Sequence, residues 1–173
     1  MSVVVSDTSP LHYLILCDAQ EVLKSLFTEV VIPPTVFHEL QHANTPTPVR
    51  EWAASLPSWV RVQAPTALDL SLNVDQGELE AICLAKEIRA AAILMDDRAG
   101  RSVAVRTGLL VTGTIGVLET AAARGLLRFS DAIAKLQQTN ARLDAQLVEA
   151  ALQRDKARME RQRRERANPR DDA

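Results

Sequence analysis

Short apolar runs recurring between helix-like stretches constrain this chain more than any other feature. Val3-Val4-Val5, Val30-Val31-Ile32, Ala92-Ile93-Leu94-Met95 and Leu109-Leu110-Val111 carry no alternating polar residue. A strand with one face in water alternates polar and apolar side chains; a strand covered on both faces does not. Runs this short, separated by helical patterns, predict parallel strands joined by crossover helices. A strand-like stretch over 59–62 adds another. The expected fold class is α/β, a three-layer α/β/α sandwich with a central parallel sheet of about four or five strands.

The connecting segments carry their own punctuation. Ser9 suits a helix N-cap and Pro10 the first helical position, opening a helix over 11–17. Asp18 can cap a second helix through about residue 26. Pro33-Pro34-Thr35 opens a third, which the prolines at 46 and 48 end by about residue 43. Another helix is expected over 49–56. Asp75-Gln76-Gly77-Glu78 has the form of a capping box and leads a helix to about residue 89. Helices over 99–106 and 115–124 are closed by Gly108 and Gly125. A C-terminal helical region starts at Ser130 or Asp131. No internal repeat is evident.

Composition narrows the functional classes. The 173 residues are 47% hydrophobic, enough for a real core. No apolar run approaches the roughly 18 residues that span a bilayer. The N-terminal run has no preceding basic residue and an acid just after it, so a buried strand is expected there and no signal peptide. Cys17 and Cys83 sit far apart in apolar surroundings, without zinc or redox spacing. They are expected to be reduced core residues of a cytoplasmic protein with no membrane association. Aromatic residues make up only 3% of the chain, which argues against a base-stacking platform.

Charge is unevenly spread. Residues 1–150 hold 12 Lys/Arg against 17 Asp/Glu, and residues 151–173 hold 8 against 5. From Gln153 the apolar stripe fades into charge, with Glu160 and Arg164 at helical i,i+4 spacing. A body over 1–140 and a basic helical tail over 141–173, fraying near Pro169, are expected. The tail suits a solvated helix or an arm for an acidic partner.

Several acids fall where parallel sheets place their ligand sites, beyond the carboxyl ends of the strands. Asp7 follows the first strand, and Asp96 and Asp97 follow the strand over 92–95. Glu78 opens the helix feeding that strand, and Glu39 lies on the helix after the second. Carboxylates gathered from remote positions repel unless a hard cation neutralises them, and Mg²⁺ or Mn²⁺ is the natural occupant. The candidate catalytic set is Asp7, Glu39, Glu78 and Asp97, and the candidate metal ligands are Asp7, Glu78, Asp96 and Asp97. Thr8, Ser9 and Thr114 are candidates to hold a substrate phosphate. Each acid also has a structural explanation: Asp7 as a turn residue, Glu78 in its capping box, Asp96 or Asp97 at a helix start, Glu39 on the surface.

A competing pattern overlaps this set. His38-Glu39-Leu40-Gln41-His42 spells H-E-x-x-H, which in zinc peptidases supplies two imidazole ligands and a general base. Prolines end that helix within about a turn, and the pattern leaves Asp7, Glu78 and Asp97 unexplained.

The ordered motifs resemble PIN-domain proteins, including VapC-like toxins, and especially a little-characterised prokaryotic branch. The resemblance runs from Asp7-Thr8-Ser9-Pro10-Leu11 through Ile32-Pro33-Pro34-Thr35-Val36-Phe37-His38-Glu39-Leu40 to Asp75-Gln76-Gly77-Glu78. It continues through Leu94-Met95-Asp96-Asp97-Arg98 and Val111-Thr112-Gly113-Thr114, covering roughly residues 3–140. It implies a metal-dependent endoribonuclease, a possible small antitoxin partner and a homodimer. Asp7 and Glu39 correspond to the first two acids of the family. Glu78 takes the third place, where many relatives have Asp; for the fourth Asp97 fits best, with Asp96 a close competitor. Met95 stands where many relatives have Thr. That departure keeps a catalytically silent RNA- or protein-binding module as the alternative to an enzyme.

Overall fold

The computed structural model describes residues 2–167. Its strands are β1 (Val3–Ser6), β2 (Glu29–Ile32), β3 (Val60–Val62), β4 (Ala92–Leu94) and β5 (Val111–Thr112). They form a five-stranded sheet in the order β3-β2-β1-β4-β5, and every pairing is parallel. The helices are α1 (Thr8–Leu16), α2 (Val22–Leu26), α3 (Pro34–Leu40), α4 (Thr47–Ala54), α5 (Gln76–Glu87), α6 (Arg98–Arg106), α7 (Thr114–Ala123), α8 (Phe129–Gln137) and α9 (Ala145–Ala167).

Period-two alternation along the strands divides the core between two faces. Val4, Val30, Ile32 and Leu94 pack with Leu11, Leu23, Val36, Val49, Leu118 and Phe129, so α1 to α4 and α7 to α9 cover one side. Val5, Val31, Ile93 and Met95 pack with Ala81, Ile82, Leu84, Val103 and Ala104 of α5 and α6 on the other. The strands therefore read as unbroken apolar runs because both faces are dry. The expected three-layer sandwich is the fold. Each fully buried Val, Leu or Ile contributes about 1.5–3 kcal/mol of transfer free energy.

Strand order fixes where a site can form. From β1 the chain builds outward through β2 to β3, then crosses back to β4 on the other side of β1 and on to β5. The β1–β4 pair is thus the switch point, where the connections diverge and leave a crevice beyond the strand ends. The Asp7 N–H donates to the Leu94 carbonyl at 2.9 Å, closing the last rung there.

Several boundaries differ from expectation. α1 begins at Thr8 with Asp7 at the N-cap, so Ser9 and Pro10 lie inside its first turn. Pro10 costs little there, because first-turn N–H groups have no intrahelical acceptor. Asp18 does not cap α2; it adopts a left-handed conformation at φ 55° in the turn before it. α3 ends at Leu40, short of residue 43. β5 starts at Val111 because Leu109 is still closing α6, its N–H on the Ala104 carbonyl at 3.1 Å.

Beyond α8 a turn leads to α9, which docks through Val148 and Ala151. Arg154 makes a two-pronged pair with Glu119 at 2.8 and 3.0 Å, and Arg158 reaches the Ala122 carbonyl at 2.9 Å. The expected fraying near Pro169 lies outside the described residues. Cys17 and Cys83 are both free and buried.

Candidate functional site

The geometry begins with Asp7. It stands at the N-cap of α1, only 7% exposed, yet makes no side-chain cap bond to that helix. Burial pushes its carboxyl up to about 7. The Thr8 N–H offsets part of that rise, and the negative charges of Asp75, Glu39 and Asp96 add to it. A buried acid that makes no cap bond and is surrounded by acids is poorly explained as a turn residue.

Glu78 meets Asp7 from α5. The capping box is real: the Glu78 N–H donates to Asp75 at 2.9 Å, and the Asp75 N–H donates back to Glu78 at 3.4 Å. The carboxyl of Glu78 is also raised to about 7, first by burial and then by Asp75, Asp7 and Asp97. Its structural role and its place among the acids therefore coexist. Two glycines clear the space. A Cβ on Gly100 would lie 2.5 Å from Glu78 Oε1 and 2.7 Å from Met95 Sδ. A Cβ on Gly77 would lie 3.2 Å from Glu39 Oε1 and 3.7 Å from Asp7 Oδ1, so those two carboxylates meet over the first turn of α5.

Glu39 is exposed on the last turn of α3 and accepts a short hydrogen bond from the Thr8 hydroxyl. α3 is held at both ends. Thr45 Oγ1 donates to the Glu39 carbonyl at 2.9 Å. Glu80 accepts from the Thr35 N–H at 3.1 Å and the Thr35 hydroxyl at 2.8 Å. Burial tends to raise Glu80, but hydrogen bonds from Gln76 and Thr35 outweigh it and hold the carboxyl low.

The H-E-x-x-H pattern does not survive as a zinc motif. Because α3 stops at Leu40, His42 lies beyond the helix, its Nδ1 accepting the Asn44 N–H at 3.2 Å. The motif needs both imidazoles one turn apart on a single helix face, and that scaffold is missing.

Asp96 and Asp97 are used differently. Asp97 caps α6, accepting from the Ala99 and Gly100 N–H groups at 2.8 and 3.0 Å. Asp96 binds the start of α7, accepting from the Thr114 N–H at 2.7 Å and its hydroxyl at 2.6 Å. The Thr114 hydroxyl is thus committed to Asp96. Asp96 acts on Asp7 and Asp97 on Glu78, so both belong to the same electrostatic cluster. Met95 is fully buried and supplies no polar group. Ser9 is half-buried beside Thr8 on the first turn of α1.

Two further residues of the cluster are not apparent from the sequence. Asp75 adds its charge to both raised acids, but its capping role hid it. Arg101 donates from Nη1 to the Met95 carbonyl at 2.8 Å, and a Cβ on Gly113 would meet both this guanidinium and Asp96. Its position four residues beyond Asp97 was the available signal.

The family model described as a PIN domain matches residues 3–157. The chain belongs to the PIN-domain family. PIN domains are typically nucleases and generally use divalent metal ions. Among solved structures, a PilT N-terminus domain protein from the archaeon Sulfolobus solfataricus P2 is similar at 16% identity. The match covers 82% of this chain and 99% of that one, with a TM-score of 0.47. No curated protein matches.

The candidate acids of this PIN domain offer only oxygen donors, which suits a hard divalent ion over softer ones. Among the described residues no three His, Cys, Asp or Glu side chains stand close enough to hold an ion by themselves. Mg²⁺ commonly takes one or two carboxylates and fills its remaining positions with water and substrate phosphate. Asp7 and Glu78, buried and mutually repelling, are the acids a cation would relieve most. No helix among the described residues is long and apolar enough to cross a membrane.

Proposed function

We propose that this PIN domain is an endoribonuclease that hydrolyses RNA phosphodiesters at a divalent-cation site formed by Asp7, Glu39, Glu78 and the Asp96–Asp97 pair. One observation carries the proposal. Two carboxyls, Asp7 and Glu78, are buried at the sheet's switch point and lifted to about 7 among further acids. Such an arrangement costs stability and does no packing work that a neutral side chain could not do.

When bound there, Mg²⁺ or Mn²⁺ supplies the positive charge that neutralises the acids, lowers the pKa of water and stabilises a leaving oxygen. Asp7 and Glu78 would hold such an ion as carboxylates. Thr8 fixes the Glu39 carboxylate through its hydroxyl, and Thr114 acts through Asp96 in the same way. Thr8 and Ser9 lie on the first turn of α1, where the helix dipole favours a substrate phosphate. A toxin role, a small antitoxin partner, a homodimer and a cytoplasmic setting rest on family resemblance and composition alone.

The test is incubation of a mixed RNA panel with Mn²⁺, Mg²⁺, Zn²⁺ or EDTA. Cleavage with Mn²⁺ or Mg²⁺ and none in EDTA is expected. Undiminished cleavage in EDTA would contradict the proposal. So would RNA binding without turnover, which would favour a silent module.

A further inference from the structure

His38 and His42 are left without a role once the zinc motif is set aside. Both are exposed and line an open cleft of about 470 Å³ with Thr8, Thr35, Glu39 and Thr45. The cleft is continuous with the acid cluster, because Glu39 belongs to both.

The polar groups of the cleft divide into spent and free. The three threonine hydroxyl protons are committed elsewhere: Thr8 to Glu39, Thr35 to Glu80 and Thr45 to the Glu39 carbonyl. What they still offer a ligand is methyl surface and acceptor lone pairs, not donors. His42 accepts the Asn44 N–H at Nδ1, which leaves Nε2–H as the donor of its neutral ring. The His38 imidazole makes no hydrogen bond among the described residues, and its ring is tilted 42° to Phe37 at 6.1 Å, away from stacking geometry. The lining therefore presents two imidazole donors, an apolar floor and one acid shared with the neighbouring site.

Resting on the ribonuclease reading above, we propose that this cleft is a substrate subsite. It takes the nucleotide next to the cleaved bond of a single-stranded RNA, with His38 and His42 donating to its phosphate and the threonine methyls against its ribose. A polyanion crossing a rim of carboxylates needs donors beside them, and within this cleft the imidazoles are the side chains that supply them.

The experiment compares wild type with His38→Ala, His42→Ala, the double variant and His42→Gln, using steady-state cleavage of a short single-stranded RNA in Mn²⁺ and a thermal melt of each protein. Losing hydrogen bonds to a charged group weakens binding by about tenfold or more. The double variant should raise KM by about that factor while lowering kcat much less, with a melting midpoint lowered only by the loss of the exposed His42–Asn44 hydrogen bond. His42→Gln, which keeps an N–H donor, should recover part of the loss. Histidine variants indistinguishable from a cleaving wild type would overturn the subsite and leave the ribonuclease reading intact. A wild type that neither binds nor cleaves RNA would overturn both.

Discussion

Asp7 differs from Asp75 and Asp97 although all three stand at helix N-caps. The other two cap their helices by accepting N–H groups from further along the first turn, whereas Asp7 makes no such cap bond, draws only on the adjacent Thr8 N–H and faces other acids. Its folded carboxyl titrates near 7 against an ordinary 3.8, with burial the leading cause. The folded protein therefore binds more protons than the unfolded chain between those values, and stability from this group is lost as pH rises through about 7. Glu78 acts with the same sign. In EDTA, the melting midpoint of wild type relative to Asp7→Asn should fall between about pH 4 and about pH 7 and level off above, with the variant several degrees more stable at the upper end. A pH-independent difference would contradict the burial of a charged Asp7. Gly100→Ala probes the neighbouring acid, since its Cβ would strike Glu78 and Met95. It should cost about 1–3 kcal/mol in denaturant titration and reduce cleavage further than that loss of folding explains.

At the scale of elements, each acid is delivered by a helix end, and capping can be separated from chemistry. Asp97→Ala removes the α6 cap and should cost about 1 kcal/mol, whereas Asp97→Ser keeps a capping oxygen and should restore most of that stability. Cleavage should be lost in both. An Asp97→Ser protein that cleaves like wild type would move the fourth acid to Asp96. The strands were legible because burial on both faces leaves an unmistakable apolar run, as in Val3-Val4-Val5. The end of α3 was not: the prolines at 46 and 48 lie too far on to set it, and a local turn through His42 and Asn44 does. The candidate acids were legible from their places after strands. The part played by Asp75 was not, because a capping box accounts for an Asp without revealing that its charge also bears on Asp7.

Over the whole molecule, the strand order β3-β2-β1-β4-β5 puts the crevice at the β1–β4 ends and directs α7 away from it. α9 follows α7 in the same sense, Arg154 meeting Glu119 and Arg158 the Ala122 carbonyl. Its basic far half therefore extends away from the acids. Truncation after Arg158 keeps the docked part of α9 and should leave the rate of cleavage of a short RNA unchanged. A large loss of rate would mean that the basic half serves the site. The central claim is that the gathered carboxylates, with a divalent ion, cut RNA, and Asp7 is the member with least other employment. Its most direct test is single-turnover cleavage of a labelled single-stranded RNA in Mn²⁺ by wild type and Asp7→Asn, each verified as folded by its melt. Cleavage by wild type and a loss of at least about 100-fold in the variant are predicted; equal rates would contradict the account.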